Sequence, residues 1–160
     1  MKKIAQILLI VCFCSSLAAC KKSKNEEVKP DENAVVHGKV YGKEYTTVTG
    51  RATTDVSNNV ERVIVNLSAN SSFSCASPEN SGYSVYFRVP KKVGVYTQGS
   101  NNIWLIFNDS ASDQGVGFVS ADCRIEITSI SNGRVAGKAS FADQESDSSV
   151  SGTFDVAFCQ

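Results

Sequence analysis

In five stretches between Tyr83 and Phe158, apolar residues recur at every second position, and that period restricts the folds open to this sequence. Tyr83, Val85, Phe87 and Val89 point one way, and Ser84, Tyr86 and Arg88 the other. Ile103, Leu105 and Phe107 alternate with Trp104 and Ile106, and Ile125 and Ile127 with Glu126 and Thr128. Val135, Gly137, Ala139 and Phe141 form another row, and Val150, Gly152, Phe154, Val156 and Phe158 the last. Successive side chains of a strand face opposite sides, so a period of two buries one face of a sheet, whereas a helix needs 3.6. Upstream, "AVVHGKVYGKEYTTVTG" reads as a hairpin around Gly42-Lys43, and "VERVIVNLSA" as a further strand. Asn132-Gly133 is a strong hairpin signal. Abundant Gly, Ser, Asn, Thr and Val suit strands and turns. The pattern predicts an all-β domain of about nine strands, an antiparallel β-sandwich with a β-barrel as the alternative, and no helix of any length.

The N-terminus obeys different rules. Met1, Lys2 and Lys3 precede "IAQILLIVCFCSSL", a basic segment followed by an apolar run, which reads as a secretory signal. The run is shorter than the roughly 20 apolar residues of a membrane-spanning helix. It ends in Leu17, Ala18, Ala19 and Cys20. "LAAC" resembles the lipobox of bacterial lipoproteins at all four positions. That resemblance implies cleavage before Cys20, a diacylglycerol on its sulfur and a further acyl chain on the new amine. Two or more chains give stable attachment, since each buried methylene contributes about 0.8 kcal/mol. By the same resemblance Lys21, where Asp would retain a lipoprotein at the inner membrane, implies the outer membrane. The stretch "KKSKNEEVKPDEN" is charged and poor in apolar residues, so it reads as a disordered tether holding the domain roughly 20 Å from the bilayer. The expected organisation is a signal over 1–19, a lipidated cysteine and tether over 20–33, and one domain over 34–160.

The last third, "CRIEITSISNGRVAGKASFADQESDSSVSGTFDVAFC", resembles the closing meander of β-sandwich lipoproteins from Gram-negative bacteria, and "HGKVYGKEY" is similar to their first hairpin. The resemblance brings no activity with it. Of six cysteines, Cys12 and Cys14 fall in the signal and Cys20 carries lipid, leaving Cys75, Cys123 and Cys159. Export favours one disulfide. If the strands beginning at Cys123 and ending at Cys159 flank a common middle strand, they run parallel, with the two cysteines at opposite ends. About seven residues at roughly 3.3 Å each then separate them, well beyond the roughly 7 Å that a bridge tolerates. Cys75–Cys159 is therefore the expected pair, with Cys75–Cys123 second. Closing so long a loop contributes about 3–5 kcal/mol.

The residue inventory argues against an enzyme. His37 is the only histidine, it lies in the first strand, and no G-x-S-x-G motif accompanies it. No pair of cysteines has zinc-ligand spacing, so neither metal nor cofactor is expected. Asp143, Glu145 and Asp147 resemble the start of a calcium loop, but the glycine at the sixth place and the distal Glu are missing. Asp109 and Asp113 sit in ordinary turn sequence, and Glu126 and Asp155 lack an aromatic cleft between them. The formal net charge is zero, and no basic stripe suggests nucleic acid. What remains is a contact surface. Tyr86, Arg88 and Trp104 share the side opposite the main apolar row and form a candidate patch for a protein or glycan ligand. The expected function is thus a lipid-anchored binding or interaction module of the cell envelope. Alternatives are a structural envelope lipoprotein, a lipocalin-like carrier or an inhibitor of a secreted hydrolase.

Overall fold

The computed structural model describes residues 33–57, 59–78, 82–98, 103–108, 116–118, 122–144 and 147–159. Cys20, the signal and nearly all of the tether lie outside the described residues, as do Asp109, Asp113 and Glu145. The described residues form β1 (His37–Val40), β2 (Lys43–Thr46), β3 (Thr49–Ser57), β4 (Val60–Ser68), β5 (Ser84–Pro90) and β6 (Gly94–Thr97). These are followed by β7 (Trp104–Asn108), β8 (Val116–Phe118), β9 (Arg124–Ser131), β10 (Arg134–Asp143) and β11 (Ser148–Phe158). All belong to one strongly curled open sheet, a half-barrel, in the order β6-β9-β10-β11-β3-β4-β5-β7-β8, with β1 and β2 joined to it at β11.

The all-β expectation holds at that level, and two details differ. Eleven strands are present among the described residues instead of about nine, and they form a single sheet. The alternation does not single out β3, β6 and β8. The outward row of β3 is polar and charged (Arg51, Thr53, Asp55), while β6 and β8 have only four and three residues, too few to show a period. The first hairpin also turns one residue earlier than its sequence suggests. Tyr41 and Gly42 are its two central residues, with φ of 50° and 69°, the same left-handed pair that Asn132 and Gly133 supply at 52° and 69° between β9 and β10.

The inward rows follow the alternation closely. Val63, Val65 and Leu67 on β4, Val85 and Phe87 on β5, and Ile125 and Ile127 on β9 are fully buried. Curling brings the two halves of the sheet face to face. Phe87 on β5 meets Phe154 on β11 edge-on at 5.4 Å, and Phe107 on β7 meets Phe141 on β10 at 5.3 Å. Each such pair contributes about 0.5–1.5 kcal/mol beyond the apolar area it buries. Tyr45 plugs one end, its hydroxyl donating to the Leu67 carbonyl at 2.7 Å and its ring lying edge-on to Tyr83. Burial pushes that hydroxyl well above the ordinary tyrosine pKa.

Strand β11 carries the topology. It pairs with β10 along nearly its whole length. On its other side the first half pairs antiparallel with β1, and the end pairs parallel with β3. The chain enters this fork at Asn33. The Thr153 amide donates to the Ala34 carbonyl at 2.7 Å, and the Val36 amide donates to the Thr153 carbonyl at 3.0 Å. Gly152 permits this approach, because a Cβ there would lie 2.6 Å from both the Ala34 and Val35 carbonyl oxygens, at a φ of 141°.

Cys75 and Cys159 are joined, with Cα atoms 5.7 Å apart, and Cys123 is a buried free thiol. Strands β9 and β11 do flank β10, which places Cys123 and Cys159 at opposite ends of the meander. Burial pushes the Cys123 thiol up to about 11. A thiol held protonated in the fold stabilises it fully below the unfolded pKa of about 9, and that contribution is lost as pH rises toward 11. Urea unfolding at pH 8 and pH 11 should therefore show the parent chain losing on the order of 2 kcal/mol more than Cys123→Ala. Equal losses in the two chains would place the thiol in contact with water.

Candidate functional site

The outward rows of the C-terminal meander make the most developed concavity. On β10 the outward residues are Lys138, Ser140 and Ala142, and they lie beside Thr153, Ser151 and Ser149 on β11. Ser151 and Ser149 lie in turn beside His37 and Lys39 on β1, and Lys39 beside Glu44 on β2. Four of these residues, Ser140, Ala142, Ser149 and Ser151, are small and sit side by side, so they form a floor. Longer side chains rise around them as walls. The result is a trough made of two hollows that meet at Ser151, one of about 330 Å³ and one of about 650 Å³. Arg124, Glu126 and Lys138 line the smaller hollow, and His37, Lys39, Glu44, Asp143, Gln144 and Asp147 wall the larger.

Charge is distributed unevenly along this trough. At one end Lys138 stands directly opposite Glu126, which Arg124 also approaches at 3.8 Å. At the other end Asp143 and Asp147 stand with Glu44, Lys39 and His37. The β10–β11 turn that carries them is tied to the β1–β2 turn: the Gly42 amide donates to the Asp147 carbonyl and the Tyr41 amide to Ser148 Oγ, both at 2.9 Å. Asp143 is close enough to Tyr41 that, after burial, its carboxylate is the second cause raising the Tyr41 hydroxyl pKa.

The residues expected from sequence to form a contact patch are only partly brought together for that purpose. Arg88 pairs with Trp104 in the register of β5 and β7, and Tyr86 pairs with Ile106. Arg88 Nη1 lies 3.2 Å from Asp55 Oδ2, so its charge is committed within the sheet. Tyr86 is half-buried in a crease with Arg51, Thr53, Ile64 and Asn66 that is too narrow to admit water. The Trp104 side chain lies outside the described part of the structure. His37 sits in the trough wall with Nδ1 2.8 Å from the Val35 carbonyl. Asp155 pairs with Arg134 at 2.7 Å. Among the described residues no group of three or more His, Cys, Asp or Glu side chains could hold a metal ion.

Two features are hidden at the level of sequence. One is the trough, because the apolar rows carry the fold signal and the polar rows between them look like ordinary solvated surface. Its floor nonetheless stands in plain alternation as Ser140-x-Ala142 and Ser149-x-Ser151. The other is Arg51, only 6% exposed. Its Nη1 donates to the Ser74 carbonyl at 3.2 Å, to that of Cys75 at 3.0 Å and to that of Ser77, and its guanidinium lies 5.0 Å from the centre of the Phe73 ring. That side chain is an internal clamp on the disulfide loop, not a group presented to a ligand. No protein family, no curated protein and no solved structure matches this chain.

Proposed function

We propose that the chain is a lipid-anchored binding module of a bacterial cell envelope, held by acyl chains on Cys20, at the outer membrane by the reading of Lys21, with the meander trough as its contact surface. The observation that carries the reading is "LAAC" at the end of an apolar segment, followed by the charged stretch to Asn33 and then by the β domain. The architecture is read as sandwich-like, the two halves of the curled sheet closing on the Phe87–Phe154 and Phe107–Phe141 contacts. Those rings occupy the space a lipocalin-like carrier would keep open, which favours a surface binder over a carrier. The Tyr86, Arg88 and Trp104 patch is the weaker contact surface, since Asp55 already engages Arg88.

Cys20→Ala tests the anchor. In cells fed an alkyne-bearing fatty acid, the parent chain should take up label and sediment with membranes. The variant should lose both properties. Label and sedimentation that persist in Cys20→Ala would overturn the anchor, and protease treatment of intact cells would then separate a surface location from a periplasmic one.

A further inference from the structure

Ser151 is the floor residue at which the two hollows of the trough meet, and it is only 9% exposed. Its backbone is paired on both sides, with Ser140 on β10 and His37 on β1. Its hydroxyl makes no hydrogen bond among the described residues. A polar group buried to that degree is normally satisfied inside the fold. This one can be satisfied only from the trough. On the reading of the trough as the contact surface, we propose that it binds a neutral oligosaccharide, one of whose hydroxyls pairs with Ser151.

The charges around Ser151 set the class of ligand, because each hollow holds both signs. In the smaller one Lys138 stands opposite Glu126, which Arg124 also approaches at 3.8 Å. In the larger one Lys39 stands opposite Glu44, with Asp143 and Asp147 beyond. A polymer of one charge sign would meet like charge in either hollow. A polyol meets none, and each of its hydroxyls can donate to a carboxylate or accept from an ammonium or guanidinium. An extended peptide lacks what it commonly uses. Strand β11, in the middle of the floor, is bonded to β10 on one side and to β1 on the other, so no backbone edge is open there. Nor does a floor of Ser140, Ala142, Ser149 and Ser151 offer an apolar pocket to a side chain. From Lys138 to Ala142 the trough runs about 13 Å, which suits several sugar rings in a row.

The test uses the full chain in detergent micelles with amide NMR. The probes are cellotetraose, maltotetraose and N-acetylated chitotetraose, compared with end-blocked tetra-alanine, tetraglutamate and tetralysine. At least one tetrasaccharide should shift the amides around Ser140 and Ser151. Its affinity should change less than about twofold between about 50 mM and 500 mM salt. Ser151→Ala should weaken that binding roughly three- to tenfold, the value of one hydrogen bond. The same variant should keep the urea midpoint of the parent, since the hydroxyl has no partner in the fold. No shift at the trough from any tetrasaccharide at about 10 mM would overturn the proposal. So would unchanged affinity in Ser151→Ala, or a lowered midpoint, which would show that the fold itself uses the hydroxyl. A peptide that shifts the trough while the sugars do not would overturn the ligand class and leave the trough as the contact surface. Shifts that fall only outside the trough would sink both, and the Cys20→Ala labelling bears on the anchor alone.

Discussion

Replacing Cys75 and Cys159 together by serine is expected to lower the unfolding free energy by about 3–5 kcal/mol. The two residues are 84 positions apart, so their bond encloses more than half of the chain. A cross-link of that span removes much of the freedom of the unfolded chain, about 4–5 kcal/mol by loop-closure entropy. Part of the loss is offset because Arg51 still grips the carbonyls of Ser74, Cys75 and Ser77 and keeps the loop near its place. Urea unfolding of the double variant against the oxidised parent gives the number. A difference below about 1 kcal/mol would mean that the parent chain is not cross-linked under the conditions used. Because the whole effect lies in the oxidised state, the parent treated with reductant should behave like the double variant.

Gly152→Ala should cost about 3 kcal/mol, far more than its single methyl suggests. The backbone at Gly152 has a φ of 141°, where an L residue is strained, and the added Cβ would meet two backbone carbonyls that cannot swing aside as a side chain would. Relief requires withdrawing Ala34 and Val35 from β11, which breaks the bonds between Thr153 and the incoming chain. Gly133→Ala is the control. Its φ is 69°, but nothing lies within 4 Å of the new methyl, so only the backbone cost of roughly 1–2 kcal/mol applies. Equal midpoints for the two variants in thermal melts would show that the fork is not closely packed.

The inward rows from Tyr83 onward were legible in the sequence because burial selects side chains by parity, and parity survives whatever the neighbouring strand is. The Asn132-Gly133 turn was legible for a similar reason, since its chemistry is local. What parity cannot convey is which strand lies next to which. The passage of β11 from β1 to β3 as its neighbour depends on residues more than a hundred positions apart, as in His37 opposite Ser151. The trough depends on the same long-range register. Lys138 and Asp143 belong to one strand, but His37, Lys39 and Ser151 join them only through pairings that no local pattern announces. Arg51 was hidden for a different reason. A charged residue in a polar row looks solvated, and only the loop folding back over it makes it internal.

The fork has a mechanical consequence. Any pull on the chain that precedes Asn33 reaches the domain at Asn33 and Ala34, beside Thr153. It is therefore delivered to β11, not to a sheet edge that could peel away. That strand is bonded to β10 from Ser148 to Ala157, and the chain just beyond it is pinned by Cys159 to Cys75. The entering chain is held against that strand by the bonds of Ala34 and Val36 to Thr153 and by the pairing of His37, Gly38 and Lys39 with Ser151, Val150 and Ser149. A pull on the chain before Asn33 thus meets first the strand that is paired on both sides, and the trough's floor shares that strand.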